Sequence, residues 1–198
     1  MGMRHGAEPT LHAATLDGCR RGDPQAQRSL FERYRDRVYS VALHFLRGDE
    51  AGAQDVTQEV FVKVFRTITS FREDARLSTW LYRIVANACH DELRKRKRLL
   101  YFGDVPPGLH PSVDAVEPSG VGEEVAKALQ RLSPKLRMAV LLRYYEDLSY
   151  DEIAYALKVT TGTIASRLNR AHAALARELA HVRPRGREGE EVNHVREA

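Results

Sequence analysis

Residues 80–98 of the chain read WLYRIVANACHDELRKRKR and end in five consecutive bases, Arg94, Lys95, Arg96, Lys97 and Arg98. Ahead of them Arg83, Asn87, Asp91 and Arg94 follow one another at steps of four, four and three, which lines them along one side of a helix. These residue types suit an anionic polymer: guanidinium and ammonium groups meet phosphates, and a carboxamide pairs with the polar edge of a base. The competing explanation is a solvated helix end, since cations near a C-terminus complement the macrodipole. Capping accounts for one or two cations and fits five poorly.

A second set lies in TGTIASRLNRAHAAL, residues 161–175. Ile164, Leu168, Ala171 and Leu175 form an apolar stripe, which leaves Ser166, Arg167, Asn169 and Arg170 outward. Upstream, Ser149 and Glu152 make an S-x-x-E capping box, and Ile153, Ala154 and Leu157 give a short apolar face. Lys158 and Val159 lead into Thr160, Thr161 and Gly162, a turn and cap. A short capped helix, a tight turn and a longer helix over about 149–168 and beyond make a helix-turn-helix, whose second helix enters the major groove. Ser166, Asn169 and Arg170 are the candidate base readers; Thr161, Thr163 and Arg167 are placed for phosphates. The alternative is a helical hairpin with an ordinary polar face. Lys158 stands where many such motifs carry glycine.

The elements that must hold these residues are helices throughout. Apolar residues recur at three and four in both halves of the chain, and strand signals are nearly absent. Asp23 and Pro24 start one helix as cap and first residue after Gly22, and Gly48 and Asp49 repeat the stop and start. Leu30, Tyr34, Val38, Val41 and Phe45 stripe the second helix. A third covers about 49–69, with Val56, Val60, Phe61, Val64, Phe65 and Ile68 inward. Residues 71–78 form a polar connector, and the helix of the basic run follows, anchored by Trp80, Leu81, Ile84, Val85 and Ala88. Ser133 and Pro134 open a further helix. Composition breaks after Arg98: residues 99–121 carry Pro106, Pro107, Pro111 and Pro118, three acids and no Lys or Arg. The expected fold is all-α, with two small helical domains, 10–98 and 122–183, joined by a Pro/Gly-containing linker at 99–121 and followed by a disordered tail at 184–198.

Across its 198 residues the chain has 31 Lys and Arg against 27 Asp and Glu, and 43 % hydrophobic residues, enough for packed cores. Its pI of about 9.2 fits nucleic acid without demanding it. Cys19 and Cys89 stand far apart, which excludes a CxxC-type site and suits a reducing cytoplasm as buried structural thiols. No run approaches the ~18 apolar residues of a membrane span, and the N-terminal residues lack a signal peptide's apolar core, so a soluble, cytoplasmic protein is expected. The eight histidines are scattered, with no HExxH, metal-spaced Cys/His set or Walker loop. No enzyme, metal site, cofactor or small-molecule substrate is expected.

Taken together, DVTQEVFVKVFRTI, FREDARLSTWLYRIVAN, the basic helix end, the proline-rich linker and LSPKLRMAVLLRYYEDLSYDEIA resemble the extracytoplasmic-function sigma factors of bacterial RNA polymerase, of the sigma-70 family. The likeness covers about residues 10–180, with two unrelated segment sets in the family's order. It implies a dissociable subunit, monomeric when free, that directs core polymerase to promoters by reading a melted minus-10 element and a duplex minus-35 element. By the same resemblance, 55–68 matches the helix that docks on a coiled coil of the largest polymerase subunit, with Asp55, Gln58, Glu59, Lys63 and Arg66 offered to it. From periodicity alone a solvated face is the better explanation of those five. The second domain's implied partner is the flap of the second-largest subunit. The loop at 72–79 matches a pocket for an extruded promoter base. Arg76, Arg83, Asn87, Arg94 and Lys95 become the minus-10 set, with Asn87 reading a base edge and Trp80 in the core. The family also implies an acidic linker threading a basic polymerase channel, and control by an anti-sigma protein. The rival is a self-sufficient helix-turn-helix regulator, which as a symmetric dimer would bind palindromic half-sites. The single reading helix and lack of a coiled-coil seam favour the sigma reading.

Overall fold

The computed structural model describes residues 13–72, 75–102 and 121–180; most of the expected linker and all of the tail lie outside them. The described residues form eight α-helices and one 3-10 turn, with no strand among them. In chain order these are α1 (Ala13–Arg20), α2 (Pro24–Phe45), α3 (Glu50–Thr67), a 3-10 turn (Ile68–Ser70), α4 (Leu77–Phe102), α5 (Val121–Arg131), α6 (Pro134–Tyr144), α7 (Tyr150–Leu157) and α8 (Thr161–Glu178).

The local signals act as their chemistry requires. Asp23 accepts the Gln25 N–H at 2.9 Å and Asp49 accepts that of Gly52 at 3.0 Å, each satisfying an orphan donor at a helix start. The Ser149 and Glu152 capping box is complete in both directions. Lys158 takes a left-handed conformation (φ 53°) to end α7, at the position where similar motifs use glycine. Ser133 starts α6 without a side-chain hydrogen bond. The basic helix, expected to end near Arg98, continues to Phe102 and starts at Leu77 rather than Trp80; no proline interrupts it before Pro106.

The first domain packs α1 to α4 around Leu30, Tyr34, Val38, Val41, Phe45, Val56, Val60, Val64 and Ile68, all buried as their periodicity requires. Trp80 belongs to this core and stacks obliquely on Phe71, with ring centroids 5.3 Å apart. Both cysteines are free and buried. Burial pushes both thiols up, with nearby Asp23 adding to the shift at Cys19. The second domain packs α5 to α8 around Met138, Leu141, Leu142, Ile153, Ile164, Leu168 and Ala171.

The buried residues of both domains form one continuous cluster. α7 packs on α4, and α6 packs on α2 and α4. The reason lies in α4, which buries Tyr82 and Ala86 besides the apolar residues expected from its stripe. Arg137 on α6 adds a link. Its side chain is 1 % exposed and its guanidinium donates to the carbonyls of Leu129, Gln130 and Leu132 at the end of α5 and of Phe45 at the end of α2. Helix C-termini carry partial negative charge, so a cation with no carboxylate partner among the described residues is still accommodated. Burial, and then Arg47 nearby, lowers its pKa to about 10, so it stays charged at neutral pH.

Candidate nucleic-acid interface

The residues matched to a polymerase-facing helix all lie on the outer side of α3. Asp55, Gln58, Glu59, Lys63 and Arg66 are exposed, while Val56, Val60 and Val64 are buried beneath them. Val62 sits in this patch, 45 % exposed, an apolar residue that the polar pattern alone does not single out. Beside it a groove of about 400 Å³ runs between α2 and α3, lined by Phe31, Arg35, Tyr39, Gln54, Thr57 and Gln58. Apolar residues at the centre and charges at the rim are the usual make-up of a protein-binding surface.

On α4 the ridge is present but unequal along its length. Asn87, Asp91 and Arg94 are exposed, and Arg94 pairs with Asp91 one turn back, so Asp91 orients an arginine. Lys95 is exposed, with its ammonium 3.7 Å from Glu92. Arg96 in the same run is different: it pairs with Asp49 at the start of α3 and with Glu92 at 2.8 Å, and its side chain is 17 % exposed. Burial opposes its charge, yet hydrogen bonds to Glu92 and the field and hydrogen bonds of Asp49 raise its pKa above the usual arginine value. One of the five bases therefore clamps two helices, and the outward ones remain for a backbone.

The amino-terminal half of α4 faces the second domain. Arg76 lies 3.5 Å from Glu152, and the buried Thr79 hydroxyl donates to the same carboxylate oxygen at 3.3 Å. Arg83 is half-buried, with its guanidinium 5.4 Å from the Tyr155 ring centroid. Tyr82, one residue earlier and fully buried, donates its hydroxyl to Glu146 in the turn between α6 and α7, and Arg37 of α2 reaches the same oxygen at 2.7 Å. Burial and the Glu146 carboxylate push the Tyr82 phenol well above its usual pKa, which keeps it a donor. Neither Tyr82, Arg37, Glu146 nor Arg137 stands out in the sequence. Tyr82 falls outside the apolar stripe of its helix, Arg137 is a charged side chain on a helix, and the partners of Glu146 are 64 and 109 residues away.

The helix-turn-helix presents its second helix outward. Ser166, Asn169 and Arg170 are exposed on α8 above the buried Ile164, Leu168 and Ala171. Arg167 is half-buried on the side facing α4, where its charge, after burial and Arg94, helps lower the pKa of His90. Thr160 is the cap, accepting the Thr163 N–H at 3.2 Å. The Thr163 hydroxyl is 2.9 Å from that of Thr160, and Thr161 donates its hydroxyl to Asp151 at 2.7 Å. These two threonines fasten the turn, and a phosphate would have to compete for their hydroxyls.

No group of three or more His, Cys, Asp or Glu among the described residues is arranged to hold a metal, and no described helix is long and apolar enough to cross a membrane. Residues 30–99 match the family model of sigma-70 region 2, and residues 122–175 match that of sigma-70 region 4. The ECF RNA polymerase sigma factor SigW of Bacillus subtilis is 30 % identical over 174 residues, covering 81 % of this chain and 92 % of the relative. The RNA polymerase sigma-H factor of Pseudomonas aeruginosa is 34 % identical, covering 83 % and 91 %. Among solved structures, the sigma factor RpoE of Bartonella quintana, crystallised with the anti-sigma factor NepR, shares the fold with a TM-score of 0.64 at 24 % identity, covering 79 % of this chain and 98 % of that one. With both region models matched in order and relatives matched over nearly their whole length, the chain belongs to the extracytoplasmic-function sigma factors of the sigma-70 family, which direct RNA polymerase to promoters.

Proposed function

We propose that three helical surfaces divide the work of this initiation factor. The outer face of α3, with Asp55, Gln58, Glu59, Lys63 and Arg66 around Val62, docks on the coiled coil of the largest polymerase subunit. α4 and the connector before it read the melted minus-10 strand: Asn87 meets a base edge, and Arg76, Arg83, Arg94 and Lys95 hold backbone. α8 reads the minus-35 duplex through Ser166, Asn169 and Arg170, with Thr161, Thr163 and Arg167 at the phosphates, while the second domain rests on the polymerase flap. The observation that carries this reading is the outward exposure of Ser166, Asn169 and Arg170 on the second helix of a fully capped helix-turn-helix. It stands beside an exposed basic ridge on a different domain, which a duplex reader alone does not need.

The factor acts in the cytoplasm as a monomer until it joins core polymerase, and an anti-sigma protein restrains it. Support for the restraint comes from a solved sigma factor of the same fold, RpoE, crystallised with the anti-sigma factor NepR. The test is purified core polymerase with this chain on a promoter library. Promoter-specific initiation that requires both supports the assignment. Independent, polymerase-free binding to a palindrome overturns it.

A further inference from the structure

A cleft of about 390 Å³ opens between the carboxy-terminal half of α4 and the start of α6. His90, Leu93, Arg94 and Lys97 recur at i, i+3, i+4 and i+7, so one side of α4 forms one wall, and Pro134 and Lys135 belong to the other. His90, Leu93 and Pro134 are half-buried and make an apolar inner surface, while Arg94, Lys97 and Lys135 are exposed at its mouth. No carboxylate lines the cleft. Asp91, outside the lining, pairs with Arg94 and offsets one of the three charges. Neither Lys97 nor Lys135 has an acidic partner among the described residues. The excess of positive charge reaches the inner surface: burial, then Arg94, Arg167 and Lys135, hold His90 below the usual histidine pKa against the opposing Asp91, so its imidazole is neutral at pH 7. The groove beside α3 is of similar size but differs in kind, since Arg35 and Asp36 line it together.

We propose that this cleft is a binding site for a nucleoside polyphosphate, with the base ring against His90, Leu93 and Pro134 and the phosphates at Arg94, Lys97 and Lys135. Its volume lies within the ~300–1,000 Å³ of small-ligand pockets and exceeds what a lone phosphate needs. An apolar interior beside unpaired cations fits a molecule that is itself divided in this way. A flat heteroaromatic ring removes the apolar surface from water, and the phosphates meet ammonium and guanidinium groups. A bare polyphosphate leaves the interior wet, and a bare nucleoside leaves the cations without a partner. Lys97 and Lys135 have no part in the promoter contacts proposed above, so the site stands without those contacts. Arg94 belongs to both sets, and an occupied cleft withdraws that cation from the melted strand; this consequence, unlike the site, rests on the assignment of Arg94 to DNA. Because α4 and α6 come from different domains, the bound molecule bridges them and stabilises the folded chain in proportion to its affinity.

The experiment titrates the full chain, without polymerase or DNA and in magnesium-free buffer, with ATP, sodium tripolyphosphate and adenosine, followed by isothermal titration calorimetry. ATP is expected to bind at a single site per chain, about tenfold or more tightly than either tripolyphosphate or adenosine, because it alone satisfies both parts of the cleft. Lys97→Gln and Lys135→Gln are each expected to weaken ATP about three- to tenfold. Both lysines are exposed, so the unfolding midpoint without ATP should not move. Lys95→Gln removes the same charge from the same basic run but outside the cleft, and should change ATP affinity by less than about twofold. ATP should also raise the thermal unfolding midpoint of the natural chain, and do so less for the Lys97 and Lys135 variants. Tripolyphosphate binding as tightly as ATP, or an equal loss from Lys95→Gln, would mean that the basic run attracts an adventitious ion only, and would overturn the proposal. So would a failure of ATP to bind. None of these outcomes touches promoter-specific initiation, which the library experiment decides separately.

Discussion

The Tyr82 hydroxyl on α4 donates to the Glu146 carboxylate in the turn before α7, and this bond joins two domains whose partners stand 64 residues apart. Both groups are buried, and Arg37 completes the set from α2. Without the Tyr82 hydroxyl Glu146 keeps Arg37 but loses one buried hydrogen bond across the domains, worth about 0.5–1.5 kcal/mol. That loss falls on the contact between the domains rather than on either core. Tyr82→Phe is expected to make chemical denaturation less cooperative, with second-domain probes shifting before first-domain probes. Urea titrations monitored separately in each domain check this, and coincident, unshifted curves would leave the bond without energetic weight.

Acid should loosen the same seam through Glu152. Burial raises the pKa of that carboxyl, but hydrogen bonds from the Ser149 backbone and hydroxyl, the Arg76 charge and the Thr79 hydroxyl outweigh it and hold the pKa below the ordinary 4.5. The Ser149 bonds belong to the α7 cap, so only the Arg76 and Thr79 parts of this depression favour closure; that contribution is present above about 4.5 and fades as pH falls through the closed-state value. Closure, followed by the radius of gyration, should therefore be constant from neutral pH to about 5 and weaken below that. Glu152→Gln should flatten the part of this acid response that Glu152 carries.

Gly52 is a sharper test of the clamp inside the first domain. A Cβ built there would lie 1.9 Å from an Arg96 guanidinium nitrogen and 2.6 Å from the Asp49 carboxylate. Arg96 can swing away, but only by giving up its pair with Asp49. Gly52→Ala is expected to lower stability by about 1–3 kcal/mol, measured by thermal or urea unfolding, despite alanine's better helix propensity. An unchanged or raised midpoint would mean that the clamp carries no net energy.

What the sequence made legible is mostly what helical chemistry writes locally. Asp23, Asp49 and the Ser149 and Glu152 box cap helices as their types require, and the stripes from Leu30 to Phe45 and from Ile164 to Ala171 are buried. Lys158 ends α7 in spite of its side chain, because the turn's geometry outweighs the modest cost of a left-handed lysine. What stayed hidden depends on distant pairing. Arg137 reads as a polar position on a helix, yet it is buried because two helix ends supply its acceptors. Arg96 is indistinguishable in sequence from Arg94 and Lys95, and only the approach of Asp49 separates it from them. The closure of α7 on α4 could not be read at all, since nothing in a linker's composition says whether the domains it joins will touch.

Polymerase docking is expected to depend on the whole outer face of α3. Gln58→Ala with Glu59→Ala should weaken association with core polymerase, and Val62→Ala should add to the loss although it removes no charge. With about 1 kcal/mol for each interface residue that matters, the triple variant should bind on the order of 100-fold less tightly. Competition for core polymerase by a labelled sigma factor reads this directly. Unaltered affinity would mean that these side chains are merely solvated.

The central claim is that one chain reads two unlike promoter elements with two helices, Asn87 on α4 serving the melted strand and Asn169 on α8 the duplex. The direct measurement is initiation by core polymerase on one selected promoter and its single-base variants, with the natural chain, Asn87→Ala and Asn169→Ala run side by side. Asn87→Ala should lose open-complex formation while keeping minus-35 binding. Asn169→Ala should lose discrimination at one upstream position, by about 1–3 kcal/mol. Unchanged initiation with Asn87→Ala, together with a uniform loss across all variants for Asn169→Ala, would contradict the account.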